Sequence, residues 1–484
     1  MNNKPHVVVI MADQLRTDAL GPHTPNLNAL LGESVSFQRA YCASPLCVPA
    51  RGAFFTGKYP NVTKSLNNAK LNREKELGNV GKEHTHMYRL MEEEWDSWHT
   101  GKMDFYTEER IERSPHSATH WLPLEPRYYD YLNQHGKRRP GGPDFKGIVP
   151  ELAYGEVTHI GTCSNPTTGC YEEGIQYHYD GFILKDTMHA LCNRDKNKPL
   201  LLNAMFFAPH PPIDIPEPWY SSIREEDVTL PDNVGVWSPN QSPLQLYNLP
   251  GVIGAQRTRE QWREVWRAYL GFVSLLDDCV GQVISELKRQ GIYDQTLLVF
   301  TSDHGEMLGS HRLWQKMCMY EESVKIPLWM KFPQGESFEN QEIDHIVSSV
   351  DVLPTLCEYL EIEAPENMCG QSLMPVIRGE ASRRESIFIQ FDGNGSRSNY
   401  QRCVIEGRYK LIVDLFKDEI FLELYDVIGD SQEQMNLAFE PKHSAQVDKM
   451  LQSLRLHMSR TNDYLTLPSD VYEQFTRNYS EFKK

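Results

Sequence analysis

The chain has 484 residues, of which 24% are charged and 40% hydrophobic, and its formal net charge is -17. That length fits one large α/β domain joined to a smaller one, and the composition is ordinary for a soluble globular protein. The acidic balance argues against a nucleic acid or a membrane surface as partner, because both favour a basic face. No apolar run approaches the roughly 20 residues that a membrane span requires.

The first apolar run, Val7 to Ala12, is short and continues directly into Asp13. A secretory leader has a longer apolar region and a cleavage site of small residues. We therefore interpret the run as a buried parallel strand and expect a cytoplasmic protein, although a leader trimmed from a longer precursor stays open.

Further short apolar runs predict strands at Leu200–Phe207, Thr296–Thr301 and Ile326–Lys331. Between the second and the third run, a helical pattern extends from about Arg259 to Gln290, and Gly291 follows as its C′ residue. Strand, long helix and strand form the βαβ unit of a parallel sheet, in which ligands bind beyond the carboxyl ends of the strands. Asp13 and Asp303 each follow such a strand, so we expect them to converge at one edge.

Residues 110–181 are rich in Tyr, His, Pro and Gly and are interpreted as long loops. After Gly379 the pattern changes to short strand-like runs and one helical stretch near His443–Ser459. This change predicts a catalytic α/β domain over residues 1–379 and a smaller α+β domain over residues 380–484. The strand-like runs are Ser386–Phe391, Arg402–Glu406, Tyr409–Asp414 and Phe421–Tyr425.

Ten cysteines are scattered without any CxxC pair, which indicates mostly reduced, structural thiols. Cys163 and Cys170 would bridge only in an oxidising compartment. Cys47 differs because it lies in SPLCVPARGAFFTG, where Pro49 favours the start of a helix. A cysteine at a helix N-terminus lies where the helix dipole favours negative charge.

The C-x-P-x-R element at Cys47–Arg51, with Thr56-Gly57-Lys58 downstream, resembles the signature of the type I sulfatases of the alkaline phosphatase superfamily. The resemblance implies a mixed, mostly parallel sheet flanked by helices, with a C-terminal subdomain that contributes to the substrate pocket. It also implies that a formylglycine-generating or anaerobic maturase oxidises Cys47 to formylglycine, the nucleophile, and that Arg51 stabilises its hydrate.

The same resemblance implies a metal site at Asp13, Gln14, Asp303 and His304. Oxygen-rich ligand sets of this kind suit calcium, with magnesium as the alternative. Gln14 replaces an acid that is common in the family, and His304 replaces a common Asn.

Three further positions match the family's sulfate-binding and ester-binding residues: Lys102, His210 and Lys316. Together they supply the positive pocket that an anionic substrate requires in an acidic protein. The chain departs from the family at Asp104, where many sulfatases have a histidine. Asp104 either takes over the role of base or orients a neighbour such as His99.

Several segments, SLNNAKL and FDGNGSRSNYQR among them, are similar to the arylsulfatase K group of glucuronate 2-sulfatases. This similarity implies a small saccharide substrate with a 2-O-sulfated uronic acid, released from a glycosaminoglycan. The carboxylate of such a sugar needs a further cation, for which His311, Arg312 and Arg397 are the candidates.

Two other interpretations remain. Choline-sulfate and phosphonate-monoester hydrolases share the Asp-Gln and Asp-His pairs, although they generally have a histidine in place of Asp104. A catalytically silent protein that binds sulfated glycans would be expected to lack Cys47, a metal-site acid or the lysines, and all of these are present. The sequence does not indicate an oligomeric state.

Overall fold

The computed structural model describes residues 4–154, 157–336, 338, 340–380, 384–417 and 419–479. Its strands are β1 His6–Asp13, β2 Val35–Tyr41, β3 Asp96–Gly101, β4 His120–Pro123, β5 Lys146–Ala153, β6 Val157–Ser164, β7 Thr168–Cys170, β8 Leu200–Pro209, β9 Ile213–Ile215, β10 Thr296–Ser302, β11 Leu328–Lys331, β12 Gln341–Ser348, β13 Ser386–Phe391, β14 Tyr400–Glu406, β15 Tyr409–Phe416 and β16 Glu419–Asp426. Its helices are α1 Pro25–Gly32, α2 Cys47–Thr56, α3 Pro60–Thr63, α4 Met87–Met91, α5 Arg127–His135, α6 Tyr179–Asn193, α7 Trp219–Ser222, α8 Leu249–Gly254, α9 Arg259–Arg289, α10 Glu321–Val324, α11 Val352–Tyr359, α12 Met374–Ile377, α13 Ser444–Arg460 and α14 Val471–Asn478.

The centre of the molecule is an eight-stranded sheet in the order β12-β2-β11-β10-β1-β8-β3-β4. β11 runs antiparallel to its neighbours, and the other seven strands run in one direction. β1 pairs with β10 on one side and with β8 on the other, so that Val9 lies opposite Val299 and Asn203. The continuous apolar run of β1 is buried on both faces, as a central parallel strand requires. The predicted mixed, mostly parallel sheet is confirmed.

Helices flank both sides of this sheet and include the long helix that the sequence predicts. α9 begins with a capping box between Thr258 and Gln261, and Gly291 follows its C-terminus with a φ of 69°. Its apolar residues recur every three or four positions and pack against α1, α6 and β8. α2 packs in a separate group with α4 and α11.

The C-terminal region forms a second, antiparallel sheet in the order β13-β14-β15-β16, against which α13 packs. Leu411, Val413 and Leu422 lie with Val447 and Leu451 of α13 in an apolar cluster separate from the main core. All four predicted strands and the predicted helix are present here, while the boundary between residues 379 and 380 stays a prediction. Residues 381–383, 418 and 480–484 of the predicted domain lie outside the described residues.

The interpretation of residues 110–181 as long loops is wrong in part. This region contains α5 and the antiparallel hairpin β5–β6, whose strands pair from Lys146–Ser164 to Ala153–Val157. The hairpin escapes detection because only a few of its side chains are buried, so it lacks a clear apolar alternation.

All ten cysteines are free thiols, and Cys163 and Cys170 are therefore not bridged to each other. Over the residues that the structure describes, no helix combines the length and the apolar character needed to cross a membrane.

Candidate active site

Four neighbouring strands of the large sheet end at the same edge, and each delivers a predicted site residue there. Asp13 is the last residue of β1, and Asp303 follows β10 directly. Lys102 follows β3, and His210 follows β8. Because these strands run parallel, the convergence that the sequence predicts for Asp13 and Asp303 is a direct consequence of the sheet order.

Cys47 is the first residue of α2, as the position of Pro49 predicts. Its Sγ lies 3.2 Å from Nε2 of His304, and the side chain is almost fully buried. The side-chain oxygen of Asn68 accepts a hydrogen bond from the Val48 backbone N–H at 3.1 Å, which fixes this first turn. Burial opposes ionisation of the thiol, but the ammonium groups of Lys102 and Lys316 outweigh it and lower the pKa of Cys47.

Arg51 lies one helical turn after Cys47 and is fully buried. Its guanidinium donates to Oδ2 of Asp303 at 3.0 Å, to Oδ2 of Asp13 at 2.9 Å and to the Lys102 carbonyl at 3.1 Å. The planar group therefore bridges the ends of three strands. Two buried carboxylates that would repel each other are held beside Cys47 by this single cation.

One donor atom each from Asp13, Cys47, Asp303 and His304 lies within 4.8 Å of the others, and all four residues are buried. Oδ1 of Asp13 is buried without a hydrogen-bond partner in the described part of the chain, so it is available as a ligand. Nδ1 of His304 donates to the Gly305 carbonyl at 3.0 Å, so Nε2, which lies 3.2 Å from Cys47 Sγ, is the ring atom that could bind a metal. Two carboxylates, an imidazole and the neighbouring Gln14 amide oxygen fit a divalent cation.

Gln14 has a left-handed backbone, with φ of 68°, which turns the chain sharply after β1. Its N–H donates to Oδ1 of Asp303 at 3.1 Å, and its side-chain oxygen accepts from Lys316 Nζ at 2.5 Å. Its side-chain NH₂ group donates to Glu306. The amide orientation therefore points the Gln14 oxygen toward the centre of the site.

Lys102 and Lys316 flank the thiol from two different loops. The Lys102 ammonium contacts Asp13 and lies 3.0 Å from Oδ2 of Asp104. Burial opposes ionisation of Asp13, but Lys102, His210 and Arg51 hold the pKa of that carboxyl well below its usual range. The site is therefore a compact set of ionised groups in which the cations can also bind an anion.

The Asp104 carboxylate accepts from Lys102 and from the Tyr106 hydroxyl, the latter at 3.2 Å. Burial acts to raise the pKa of Asp104, but the positive charges of Lys102 and Arg51 outweigh burial, and the pKa is lowered overall. The hydrogen-bond partner of His99 is Tyr88 rather than Asp104: its Nδ1 lies 2.7 Å from the Tyr88 hydroxyl. Burial lowers the pKa of His99 to about 3. The observed partner of Asp104 is thus Lys102, and its role as base stays a prediction.

His210 is held by its own backbone. Nδ1 donates to the Pro211 carbonyl at 2.6 Å, so Nε2 is the ring atom that can act on a ligand. Burial, followed by Lys316 and Lys102, moves the pKa of His210 well below its usual value. Without an anion beside those lysines, the imidazole is therefore neutral.

The three predicted substrate-binding residues lie apart from this cluster of contacts. His311 is fully buried and stacks on Tyr320 with ring centroids 4.1 Å apart. The Arg312 guanidinium donates to the Ala255 carbonyl at 2.7 Å, just after α8. Arg397 forms a two-point ion pair with Glu74 at 2.8 and 3.1 Å. Each is occupied by a protein partner, and a role in substrate binding stays a prediction for all three.

Sequence reasoning missed two residues that fix the site, Glu306 and Asn68. Glu306 orients Gln14, and burial raises the pKa of its carboxyl. Asn68 caps the turn that carries Cys47. Glu306 lies only three residues after Asp303, and Asn68 lies in the SLNNAKL segment, so the position of each beside a known motif was the available signal.

Known proteins are similar to this chain over nearly its whole length. Arylsulfatase K of Xenopus laevis is 26% identical over 483 residues, covering 94% of this chain and 83% of its own. The choline-sulfatase of Rhizobium meliloti is 28% identical over 460 residues, covering 91% of this chain and 83% of its own. Among solved structures, the phosphonate monoester hydrolase of Agrobacterium radiobacter superposes with a TM-score of 0.74 at 21% identity, covering 94% and 96%. A 2-O GAG sulfatase superposes with a TM-score of 0.73 at 22% identity, covering 97% and 95%.

Two family models match the chain. The one described as N-sulphoglucosamine sulphohydrolase, C-terminal, matches residues 309–460. The one described as Sulfatase matches residues 5–362, which include Cys47 and every residue of the strand-end cluster. The chain therefore belongs to the sulfatase family, within the alkaline phosphatase-like superfamily, and is a sulfuric ester hydrolase.

Proposed function

We propose that this protein removes the 2-O-sulfate from a terminal uronic acid of glycosaminoglycan-derived oligosaccharides, with Cys47 matured to formylglycine and calcium as the metal. The observation that carries the catalytic part is the meeting of Cys47 with Lys102, Lys316 and a carboxylate pair in one buried cluster. A sulfate ester needs cations around its oxygens and a nucleophile in line with sulfur, and the cluster supplies both.

Two groups absent from the polypeptide as translated complete the site. Formylglycine at position 47, made by a maturase, supplies a hydrated aldehyde whose hydroxyl is a stronger nucleophile toward sulfur than water. Asp13, Gln14, Asp303 and His304 would hold a divalent cation, which would supply Lewis acidity to the site. Magnesium is the alternative metal.

The side chains of this protein bind the sulfate and orient the nucleophile. Lys102 and Lys316 reach the site from two different loops and neutralise negative charge on the sulfate oxygens. Arg51 fixes Asp13 and Asp303 and so sets the geometry around residue 47. Asp104 keeps Lys102 charged and aligned, since the two are 3.0 Å apart.

His210 is the proposed proton donor to the leaving sugar oxygen, through Nε2. Its neutral state without ligand follows from burial and from the positive charge of Lys316 and Lys102. A bound sulfate offsets that positive charge and raises the pKa of the imidazole. The acid form therefore develops when substrate is bound, which is when it is required.

The uronate part of the proposal draws on the relatives. Proteins named arylsulfatase K from Xenopus laevis, Canis lupus familiaris and Bos taurus are 23 to 26% identical to this chain. The 2-O GAG sulfatase shares its fold. We further propose that residues 380–484 act as a subdomain that contributes to the substrate pocket, because Phe391, Asn394 and Asn399 line a recess together with Met317, the neighbour of Lys316.

Hydrolysis of choline sulfate or of phosphonate monoesters is the second candidate. The choline-sulfatase of Rhizobium meliloti is as similar to this chain as arylsulfatase K, and phosphonate monoester hydrolases share the fold. The substitution of Asp104 for the histidine of those enzymes weighs against it.

The decisive experiment uses protein co-expressed with a formylglycine-generating enzyme, with the aldehyde at residue 47 verified by peptide mass. Sulfate release is measured from an unsaturated uronate-2-O-sulfate disaccharide and from its isomer with a 6-O-sulfated hexosamine. We expect turnover of the 2-O isomer alone, lost on chelation of divalent metal.

Choline sulfate and a phosphonate monoester are assayed beside the disaccharides. Turnover of either, with both disaccharides inert, would replace the uronate assignment by the second candidate. An aldehyde-bearing protein that binds sulfated disaccharide but hydrolyses none of the esters would identify a silent binding protein.

A further inference from the structure

A recess lies beside the catalytic cluster and is bordered by parts of the chain that are far apart in sequence. The hairpin β5–β6 contributes Glu151 and Leu152, and the loop after β13 contributes Asn394 and Asn399. Met317, next to Lys316, lies in the same wall. The recess therefore adjoins the loop that carries Lys316.

Lys146 is the first residue of β5, the strand that contributes Glu151 and Leu152 to the recess. Its ammonium donates to Ser164 Oγ at 3.3 Å and lies 4.4 Å from the centre of the Phe145 ring. The Ser164 carbonyl accepts from Trp314 Nε1 at 2.7 Å, two residues before Lys316. The end of the hairpin that carries Lys146 is thus fastened to the loop that carries the catalytic lysine.

Lys70 lies in the segment that follows α3 and contacts the loop after β13. Its backbone N–H donates to the Gly395 carbonyl at 2.9 Å, in the loop that lines the recess. A Cβ at Gly395 would lie 3.7 Å from Lys70 Cδ, so the lysine stem passes directly over that loop. Asn68, two residues earlier, caps the turn of Cys47, which places Lys70 close to the nucleophile.

The two lysines form one positive region with Lys316. Burial and the Lys70 and Lys316 ammonium groups lower the pKa of Lys146. Lys316 also acts on the Cys47 thiol, so it lies between the nucleophile and Lys146. In the part of the chain that the structure describes, neither Lys70 nor Lys146 is ion-paired with a carboxylate. Burial raises the pKa of the Glu151 carboxyl, and the Lys70 ammonium opposes that shift, so Glu151 is a carboxylate within electrostatic reach of Lys70.

We propose that Lys70 and Lys146 form a subsite for a second anionic group of the substrate, the carboxylate of the sulfated uronic acid. The inference rests on the proposed function and names the residues that select the sugar. Lys146 is repelled by Lys70 and Lys316, and Glu151 offers a single carboxylate to this region, so a bound carboxylate would offset the repulsion that remains. Arg397, in contrast, already has Glu74 as a partner.

The test compares the uronate-2-O-sulfate disaccharide with its methyl ester, which keeps the sulfate but has no carboxylate charge. The enzymes are the aldehyde-bearing wild type, K70M, K146M and, as a matched control, K196M, whose lysine is exposed in the loop before β8. We expect wild type to favour the acid over the ester in kcat/KM. We expect K70M and K146M each to lose about tenfold to a hundredfold on the acid, the value of a charge-assisted hydrogen bond, and little on the ester.

The outcomes separate the two proposals. Equal losses on acid and ester, or none relative to K196M, would overturn the subsite while the uronate substrate stands. A wild-type enzyme that hydrolyses 4-nitrophenyl sulfate but not the acid disaccharide would overturn both. A loss confined to the acid, expressed mainly in KM, would support the subsite.

Discussion

Two regions of this molecule bury charged side chains, and the pKa values of their carboxyl groups shift in opposite directions. The first, the rim, is the strand-end cluster of Asp13, Arg51, Lys102, Asp303 and Lys316. The second, the interface network, joins the loop after β10 to the C-terminal sheet and consists of Tyr320, Glu321, Lys410, Glu423 and Glu433. In each region the cost of burying charge is offset by partners rather than by water.

The balance of charge differs between the two. In the rim, cations hold the pKa of Asp13 well below its usual range. In the interface network, Lys410 lies 2.6 Å from Glu321 and 2.8 Å from Glu433, while Glu423 accepts from the hydroxyls of Tyr320 and Tyr425. Burial raises the pKa of Glu423 to about 7 and that of Glu433 to about 8.

This difference teaches how to tell a reactive cluster from a structural one. The rim keeps its carboxylates ionised and leaves Oδ1 of Asp13 without a partner, so it can accept a metal and a substrate anion. In the interface network, Glu423 and Glu433 keep their protons up to near-neutral pH, and the network connects one sheet to the other. Buried carboxylate oxygens without a hydrogen-bond partner occur in both regions, and the direction of the pKa shift distinguishes them: it is downward for Asp13 and upward for Glu423 and Glu433.

The largest effect should follow from C47A, which removes the precursor of the nucleophile. We expect turnover to fall by about 10⁴-fold or more, with thermal unfolding little changed. C357A is the matched control, because Cys357 is a buried thiol of α11 whose pKa burial raises to about 11. It should cost stability and spare activity. Near-wild-type rates in C47A would contradict a reactive rim.

Metal binding at the rim should stabilise the fold. At a calcium concentration about 100 times Kd, we expect a gain of about 2.7 kcal/mol in the free energy of unfolding, measured as a rise in Tm. D13N should abolish that gain, because Asp13 offers an unpartnered oxygen. D448N, on the exposed side of α13, should keep it. An equal calcium shift in D13N would exclude Asp13 as a ligand.

The interface network should make stability fall as pH rises. Between the ordinary pKa of 4.5 and the folded value of about 7, Glu423 binds a proton in the folded state but not in the unfolded state. Its contribution is therefore complete below pH 4.5 and is lost as pH rises to about 7. Relative to wild type, E423Q should gain about 1–3 kcal/mol between pH 5 and pH 8 in denaturant titrations. Parallel pH profiles of the two proteins would contradict this assignment.

The smallest effect should come from N68A, which removes the cap on the turn of Cys47. Loss of one capping hydrogen bond costs about 1 kcal/mol, so we expect kcat to fall by about fivefold. The matched control is N72A, in the same segment, because in the described part of the chain the Asn72 side chain makes no hydrogen bond to α2. A larger loss in N72A than in N68A would show that the segment as a whole, rather than the cap, supports the rim.

Much of the fold was predictable from local patterns. β1, β8, β10 and α9 are long, continuously apolar or strongly amphipathic, and their predicted bounds are within a few residues of the observed ones. The hairpin β5–β6 was not predictable, because it buries too little on either face to impose an alternation. Its position over the recess depends on contacts with Trp314 and with the loop after β13.

The residues of the site were identifiable one by one, but their partners were not. The motif around Cys47 and the acids after two strands indicated the chemistry. The pairing of Asp104 with Lys102, and the partners of His311 and Arg397, depend on loops that meet only in the folded chain.

The sequence by itself determined β1, β8, β10, β11, the C-terminal strands, the long helix, the cysteine at a helix start and the family, because these are encoded in periodicity and short motifs. Only the tertiary structure decided which cations are free to bind a ligand. A sequence motif shows where a cation lies but not whether an acid neutralises it. In the fold, Arg397 is paired with Glu74, whereas Lys146 lies within electrostatic reach of Lys70 and Lys316. The physical reason is that charge pairing depends on distances across loops, which no local pattern specifies.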